Sequence, residues 1–412
     1  MRTVGRLLQV LAVVFAAAIA ASGLALLIQH WQVQVAQDRI ADFYLPPNPI
    51  PQRPGMLIRS QEIPGLVPGA TTLRLLYSTQ RPDGQPAVSG ALAFIPDGPA
   101  PAGGRRVVSW AHGTIGLGEQ CAPSRTADPV KAIRTWLPIM LARGWIVVAT
   151  DYAGLGTPGP SLYLVGTAEA RDVVNAVRAV HAVPGADAGS QYAVWGHSQG
   201  GHSALWSGAL AAQLAPELDL VAVAAAAPAA ELQQMIDIQW DAPVAWVIGP
   251  EVVKAWPVVD PQLPIEGIVT TAGTRNVQRI SDECIKVAAL EALTRAIPQQ
   301  QFFARNPVTD ATWAAFAREQ TPAPLPPDIP LLIAQSTADD VVPPQTTASL
   351  QEAWCDAGSD LTSLWIGDVG HMATALTAGP AVAQWLDDRF AGRPASSTCD
   401  VSPPALPAAS TR

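Results

Sequence analysis

One glycine-framed serine and a small set of histidines define the chemistry this chain can do. Gly196-His197-Ser198-Gln199-Gly200 fits the pattern G-x-S-x-G. In that pattern a serine sits on a tight strand-to-helix turn with its hydroxyl held clear of the backbone. The pattern alone is weak, because glycine-rich turns also serve purely as turns. Its context is more telling. Tyr192–Trp195 reads as a strand and Gly201–Ala215 as a helix, so Gly196 and Gly200 would frame the elbow between them. A serine hydroxyl is a poor nucleophile until a base takes its proton. In such elbows the partners follow along the chain in the order serine, acid, histidine.

Of six histidines, only His202 and His371 lie downstream of Ser198. His202 falls one helical turn on, below the nucleophile, and reads as a packing residue. His371 follows the strand-like Thr362–Ile366 after the short loop Gly367-Asp368-Val369-Gly370. It is the expected base. The acid should follow the preceding strand. In Ser336-Thr337-Ala338-Asp339-Asp340-Val341-Val342-Pro343 the register selects Asp339, with Asp340 as the alternative and Asp368 a distant third. The acid would orient the imidazole and stabilise its cation.

Attack on a carbonyl places negative charge on its oxygen, which calls for two backbone donors. One expected donor is the N–H of Gln199. The other should come from the loop after Ala111, where Gly113 or Thr114 lets the backbone approach a substrate and His112 reads as structural. No metal or cofactor is called for, since the spacing of Cys121, Cys284, Cys355 and Cys399 fits no zinc pattern.

These groups need a scaffold. Thr72–Thr79 and Val88–Ile95 alternate around a Pro82-Asp83-Gly84 turn and predict an antiparallel hairpin. Strands are expected at Arg106–Ala111, Trp145–Thr150, Tyr192–Trp195, Leu218–Ala226, Pro330–Gln335 and Thr362–Ile366. Helices are expected at Pro129–Arg143, Gly166–Val183, Gly201–Ala215, Thr346–Trp354 and Ala373–Phe390. Alternating strands and helices imply an α/β fold with a mostly parallel sheet covered on both faces. The alternation lapses over 228–326, a stretch holding Trp240, Trp246, Trp256, Phe302, Phe303, Trp313 and Phe316. It reads as a mostly helical insertion, with most of those aromatics forming its core and some lining an apolar cleft. Core segments at 71–227 and 327–392 flank it. Residues 29–70 read as an irregular lead-in and 393–412 as a low-complexity, disordered tail.

Arg2 and Arg6 precede an apolar run from Leu7 to Ile28. This fits a secretory signal over 1–28. At 22 residues the run could also stay as a membrane anchor. No arginine pair precedes it and no cysteine precedes Cys121, which excludes a twin-arginine signal and a lipobox. A secreted or periplasmic protein is expected, with a membrane-anchored one as the alternative. Four cysteines in an exported chain allow three pairings. Cys121 with Cys284 and Cys355 with Cys399 is the simplest, the second pinning the tail; free buried thiols are the other reading.

The chain has 412 residues, a net charge of −9, only 14% charged residues and 39 prolines. Its three lysines, Lys131, Lys254 and Lys286, form no basic stripe, which excludes a nucleic-acid partner. The apolar content excludes a disordered acidic chain. A single apolar run of membrane length excludes a polytopic membrane protein. A monomer is expected.

Taken together, Ala111-His112-Gly113-Thr114 with Cys121-Ala122-Pro123-Ser124, Thr150 to Gly159, Tyr163-Leu164-Val165-Gly166, the Ser198 elbow, Asp339 with Pro343, and His371 resemble the bacterial and fungal secretory lipase family. The resemblance spans residues 43–392. It implies an α/β-hydrolase core with a helical cap after the sixth core strand, two disulfides, and hydrolysis of carboxylic esters, often triacylglycerols. The apolar N-terminal run is a departure that bears on release from the membrane. The expected activity is therefore a serine ester hydrolase on apolar esters such as acylglycerols. A short-chain carboxylesterase or acyltransferase is the alternative. A serine peptidase of the same fold lacks its acidic cluster here, and a non-enzymatic binding protein would not need all three triad positions filled. Ser198 itself argues against dehalogenases and epoxide hydrolases, which use an aspartate at the elbow.

Overall fold

A computed structural model of the chain describes residue 28 and residues 31–406. The proposed signal, apart from Ile28, and the last six residues lie outside the described residues. The chain divides at Leu45 into two units. In the first, residues 31–41 are helical and Asp42–Tyr44 adds a 3-10 turn. No helix among the described residues is long and apolar enough to cross a membrane.

The second unit is built on a nine-stranded sheet: β1 (Leu57–Glu62), β2 (Ala70–Gln80), β3 (Pro86–Pro96), β4 (Arg105–Ala111), β5 (Ile146–Thr150), β6 (Ala188–His197), β7 (Asp219–Ala226), β8 (Leu331–Ser336) and β9 (Leu361–Ile366). Their order is β1-β2-β3-β5-β4-β6-β7-β8-β9. β1 to β3 and the β3–β5 pair are antiparallel, and every later pair is parallel. The parallel strands read as continuous apolar runs because both faces are covered. Side chains alternate across the pleat. Val107, Val148, Val194, Val223 and Ile333 enter one core with Val173, Val177, Ala204 and Leu205. Their neighbours Val108, Val147, Trp195, Ala224 and Leu332 enter the other, with Leu137, Met140, Val382 and Leu386.

The helices on these faces are α1 (Leu137–Ala142), α2 (Gly166–His181), α3 (Gln199–Leu214), α9 (Pro344–Asp356) and α10 (Thr374–Phe390). Between β7 and β8 lies the helical insertion: α4 (Leu232–Gln239), α5 (Ala245–Val259), α6 (Thr271–Ser281), α7 (Ile285–Ala296) and α8 (Ala311–Glu319). It has its own core of Trp246, Trp256, Phe302, Phe303, Trp313 and Phe316, which also takes in Tyr163, Leu164 and Val342 from the sheet's loops. Four cysteines form two bridges, Cys121–Cys284 and Cys355–Cys399.

Three expectations need correction. The lead-in is not wholly irregular, because β1 pairs with β2 from Leu57 to Glu62. Its apolar alternation is short, since an edge strand gains its hydrogen bonds on one side only. The helix expected from Pro129 starts at Leu137, with turns before it. Pro138 in the first turn has no N–H to give a carbonyl upstream, so it marks a start. The tail is docked where it follows the core. Thr398 N donates to Leu361 O at 2.8 Å, and Ser363 N donates to Thr398 Oγ1 at 2.7 Å, covering the first residues of the outer edge of β9.

Candidate active site

β6 runs into the elbow and α3 leaves it. Ser198 sits between them at φ 58°, ψ −119°, a strained conformation for a side-chain-bearing residue. The flanking glycines are sterically required. A Cβ on Gly196 would stand 1.9 Å from the Gly200 carbonyl oxygen, and one on Gly200 would stand 1.9 Å from that of Ala111. The turn closes only because both positions lack a side chain.

The loop after β9 brings His371 over the elbow, and the loop after β8 brings Asp339 behind it. Ser198 Oγ lies 2.9 Å from His371 Nε2, and Asp339 Oδ2 lies 2.8 Å from His371 Nδ1. All three residues are buried. A carboxylate only accepts, so Nδ1 carries the proton and Nε2 is left to accept from the serine hydroxyl. Asp339 Oδ1 in turn accepts from the backbone N–H groups of Val341 at 2.9 Å and Val342 at 2.8 Å. Gln335 Nε2 donates to Oδ2 at 3.2 Å. Asp340 and Asp368 are exposed, away from this chain of contacts.

His202 is fully buried, with Nδ1 3.1 Å from Glu169 Oε2 and Nε2 2.7 Å from the Gln320 carbonyl. It supports α3 and does not face Ser198. His112 is buried against its own loop, Nδ1 2.7 Å from the Gly113 carbonyl. Burial pushes its pKa down, which keeps it neutral.

The loop after Ala111 lies against Ser198. A Cβ on Gly113 would come within 3.2 Å of Ser198 Cβ. The side chain of Thr114 is fixed by Tyr163, its Oγ1 2.7 Å from the phenol oxygen. Gln199 opens α3, where a backbone N–H has no carbonyl one turn back to bond. Its side chain is anchored: Nε2 donates to Glu169 Oε1 at 2.7 Å. The same Oε1 accepts from Leu164 N at 2.9 Å, and Oε2 accepts from Ser203 Oγ at 2.7 Å. Glu169, His197 and Gln335 are supporting groups that the sequence reading missed. Glu169 and His197 act on groups 30 and 174 positions away, and Gln335, only four residues before Asp339, belongs to no motif that marks it. Tyr163 was quoted within a motif, but without a role.

Above Ser198 the insertion forms an apolar cleft lined by Thr114, Tyr163, Leu164, Leu232, Ile236, Trp240, Ile248, Val252, Trp256, Phe303, Trp313 and Val342, among others. Its empty space, open mouth included, is ≈ 720 Å³. Of the expected aromatics, Trp240, Trp256, Phe303 and Trp313 reach this lining, while Trp246, Phe302 and Phe316 serve the insertion's core. Among the described residues no group of three or more His, Cys, Asp and Glu could hold a metal.

Such a site can form and break an acyl–serine bond: a serine hydroxyl against an imidazole that can take its proton, an acid to steady the imidazolium, backbone N–H groups beside the hydroxyl, and an apolar slot for one part of a substrate.

Comparison with known proteins gives the same picture. Residues 129–398 match the family described as secretory lipase. The chain is 24% identical over 310 residues to Lipase 10 of Candida albicans, a stretch covering 68% of this chain and 64% of that protein. It is 24% identical over 410 residues to the secreted triacylglycerol lipase LIP4 of Malassezia globosa, covering 92% and 88% of the two chains. A third relative, 23% identical over 85% of this chain and 82% of its own length, is named a probable inactive lipase of Mycobacterium tuberculosis. Among solved structures, Candida antarctica lipase A in its closed state aligns with a TM-score of 0.69 at 20% identity over 86% of both chains. The rice cell wall degrading esterase LipA of Xanthomonas oryzae aligns at 0.71 and 20%, over 82% of this chain and 100% of that one. The fold is that of the α/β-hydrolases. With the family matched across most of its core and beyond the insertion on both sides, this chain belongs to the secretory lipase family.

Proposed function

We propose that the protein is an exported serine hydrolase of apolar carboxylic esters, acylglycerols being the expected class. The observation that carries this reading is the contact chain from Asp339 through His371 to Ser198, ending at the floor of an apolar cleft. Family membership alone does not establish activity, since one relative bears an inactive name. The intact geometry here argues for turnover.

In the proposed reaction His371 Nε2 takes the hydroxyl proton as Ser198 Oγ attacks the ester carbonyl. Asp339 stabilises the resulting imidazolium. The backbone N–H of Gln199, with that of Gly113 or Thr114, holds the oxyanion, each donor being worth about 3 kcal/mol in such sites. His371 then gives its proton to the leaving alcohol. Water then attacks the acyl–serine ester, losing a proton to the same nitrogen; the bond to Ser198 Oγ breaks, His371 returns the proton to that oxygen, and the carboxylic acid leaves. The insertion, 228–326, acts as a cap whose cleft takes the acyl chain. Residues 1–28 direct export, and two disulfides fit an oxidising compartment.

Ser198→Ala should abolish p-nitrophenyl butyrate hydrolysis and fluorophosphonate labelling while the circular dichroism spectrum stays unchanged. Full residual turnover would overturn the reading. A series from acetate to palmitate reads the acyl preference, and a steep fall beyond butyrate would make the enzyme a short-chain esterase.

A further inference from the structure

Helix α7 of the insertion is built inside out. Its inward face carries the small Ala288 and Ala292, both buried. Its outward face carries Val287, Leu290 and Leu293, exposed by 53%, 63% and 63%, with Ile297 just past its end at 85%. Residues 286, 290, 293 and 297 fall on one stripe at helical spacing. A soluble helix ordinarily turns its large apolar residues inward, so a contiguous exposed stripe marks a contact surface.

The charges around the stripe say what it contacts. Lys286 is exposed and heads the stripe. Its ammonium lies against that of Lys131, whose pKa the neighbouring lysine depresses, with Arg134 and Asp128 close by. Two of the chain's three lysines thus meet at one spot in a protein of net charge −9. The carboxylate on the helix, Glu291, is turned aside and held by Arg279 and Arg295. The outward face therefore offers apolar side chains and, beside them, Lys131, Lys286 and Arg134 against the single exposed acid Asp128. The same face of a second copy would set lysine against lysine, whereas an anionic lipid surface complements both the apolar stripe and the charge.

The helix is also tied to the proposed active site. Ile285 N donates to Ile115 O at 2.9 Å, Leu117 N donates to Ser281 O at 2.7 Å, and Cys284 is bridged to Cys121. The start of α7 is thereby bonded to the residue directly after Thr114.

We propose that the outward face of α7, Lys286–Leu290–Leu293–Ile297 with Lys131 beside it, is the surface by which the protein seats on an anionic lipid–water interface. Leu290, Leu293 and Ile297 enter the acyl boundary, and the two lysines stay at the level of phosphate or fatty-acid carboxylate groups. The surface itself is independent of the hydrolase reading; its value for delivering substrate to Ser198 rests on that reading.

The test places an environment-sensitive fluorophore on α7 of the full chain through Leu290→Cys. This reads the helix alone, whatever residues 1–28 do. Adding phosphatidylglycerol vesicles should shift the emission to the blue, and phosphatidylcholine vesicles should do so far less. Lys131→Glu with Lys286→Glu should weaken the response to anionic vesicles roughly tenfold or more, and raised salt should do the same. In unlabelled protein, Leu290→Glu with Leu293→Glu should slow hydrolysis of emulsified or vesicle-borne ester while leaving p-nitrophenyl butyrate turnover intact. An unchanged emission with every vesicle would overturn the proposal. So would a concentration-dependent dimer that buries the probe without lipid. Loss of butyrate turnover in wild type would instead strike the hydrolase reading and leave the vesicle result standing.

Discussion

The imidazole of His197 donates from Nε2 to the backbone carbonyl of His371 across 3.0 Å. The residue before the proposed nucleophile thus holds the loop that carries the proposed base, and the two rings lie 4.7 Å apart by centroid. Burial, with the nearby His371, pushes the His197 pKa down to about 3. It stays neutral over the working range and keeps its donor. His197→Ala should lower kcat by up to about 10²-fold with little change in KM, since a displaced base loses attack geometry. His197→Asn, which keeps a side-chain N–H, should recover part of the loss. Steady-state kinetics on p-nitrophenyl butyrate checks both, and an unchanged kcat in the alanine variant would remove the positioning role.

The cleft should set the acyl preference. Val252 is buried on α5 and lines it together with Ile248 and Trp256. Val252→Phe adds bulk where the chain would lie. Palmitate turnover should fall roughly tenfold or more relative to acetate, following the usual worth of pocket volume in ester discrimination. Equal losses across the series would place the acyl chain elsewhere.

Asp172 supplies a pH signature. It is 3% exposed, and burial pushes its pKa up to about 7, against the pull of the Ala153 N–H. Between about pH 4 and pH 7 the folded protein holds a proton here that the unfolded chain has lost. Stability from this group therefore falls as pH rises through that window. Asp172→Asn should remove the fall, gaining up to about 4 kcal/mol on the wild type at pH 8 and little at pH 4. Urea unfolding at the two pH values measures it, and parallel curves would refute it.

The two disulfides should differ in consequence. Chain-entropy estimates put them close together, at about 5 kcal/mol for Cys121–Cys284 and about 4 kcal/mol for Cys355–Cys399. Their surroundings differ more. Cys121–Cys284 ties the start of α7 to the stretch after Thr114, whereas Cys355–Cys399 anchors the tail. Cys121→Ser with Cys284→Ser should lower both Tm and kcat. The Cys355→Ser and Cys399→Ser pair should lower Tm and leave kcat within about twofold, tail docking being remote from the hydroxyl. A melting curve and a rate at one temperature separate the two.

Much of the sheet was legible because its signals are local. Apolar runs such as Trp145–Thr150 and Leu218–Ala226 can be satisfied only by burial on both faces, and the observed strands differ by a residue or so at their ends. The elbow was legible because its geometry demands glycine at two fixed offsets from the serine. The positions of Asp339 and His371 followed from the strands that precede them. The supporting groups were not legible. Glu169 reaches Gln199 across 30 positions, and His197 reaches His371 across 174; such contacts exist only once the sheet has formed. β1 was hidden by the prolines and glycines around it, and the docked tail by its low complexity. An apolar cleft was expected, but which residues line it was hidden, because the lining comes from several separate stretches, none with a pattern of its own.

The cross-links also divide the chain into rings. Ser198 lies within the closed loop from Cys121 to Cys284, and His371 within the loop from Cys355 to Cys399. Asp339 lies on the single strand of chain between them. A protease that nicks either ring once leaves two ends and no lost fragment. A cut between 285 and 354 is different: it severs every covalent path from Ser198 to His371, and where it falls before residue 331 the β7–β8 ladder of Val223–Ala226 with Leu331–Ala334 is among the contacts that hold the halves together. In a protein-digesting environment, a nick in that stretch between the rings is the one that parts Ser198 from His371.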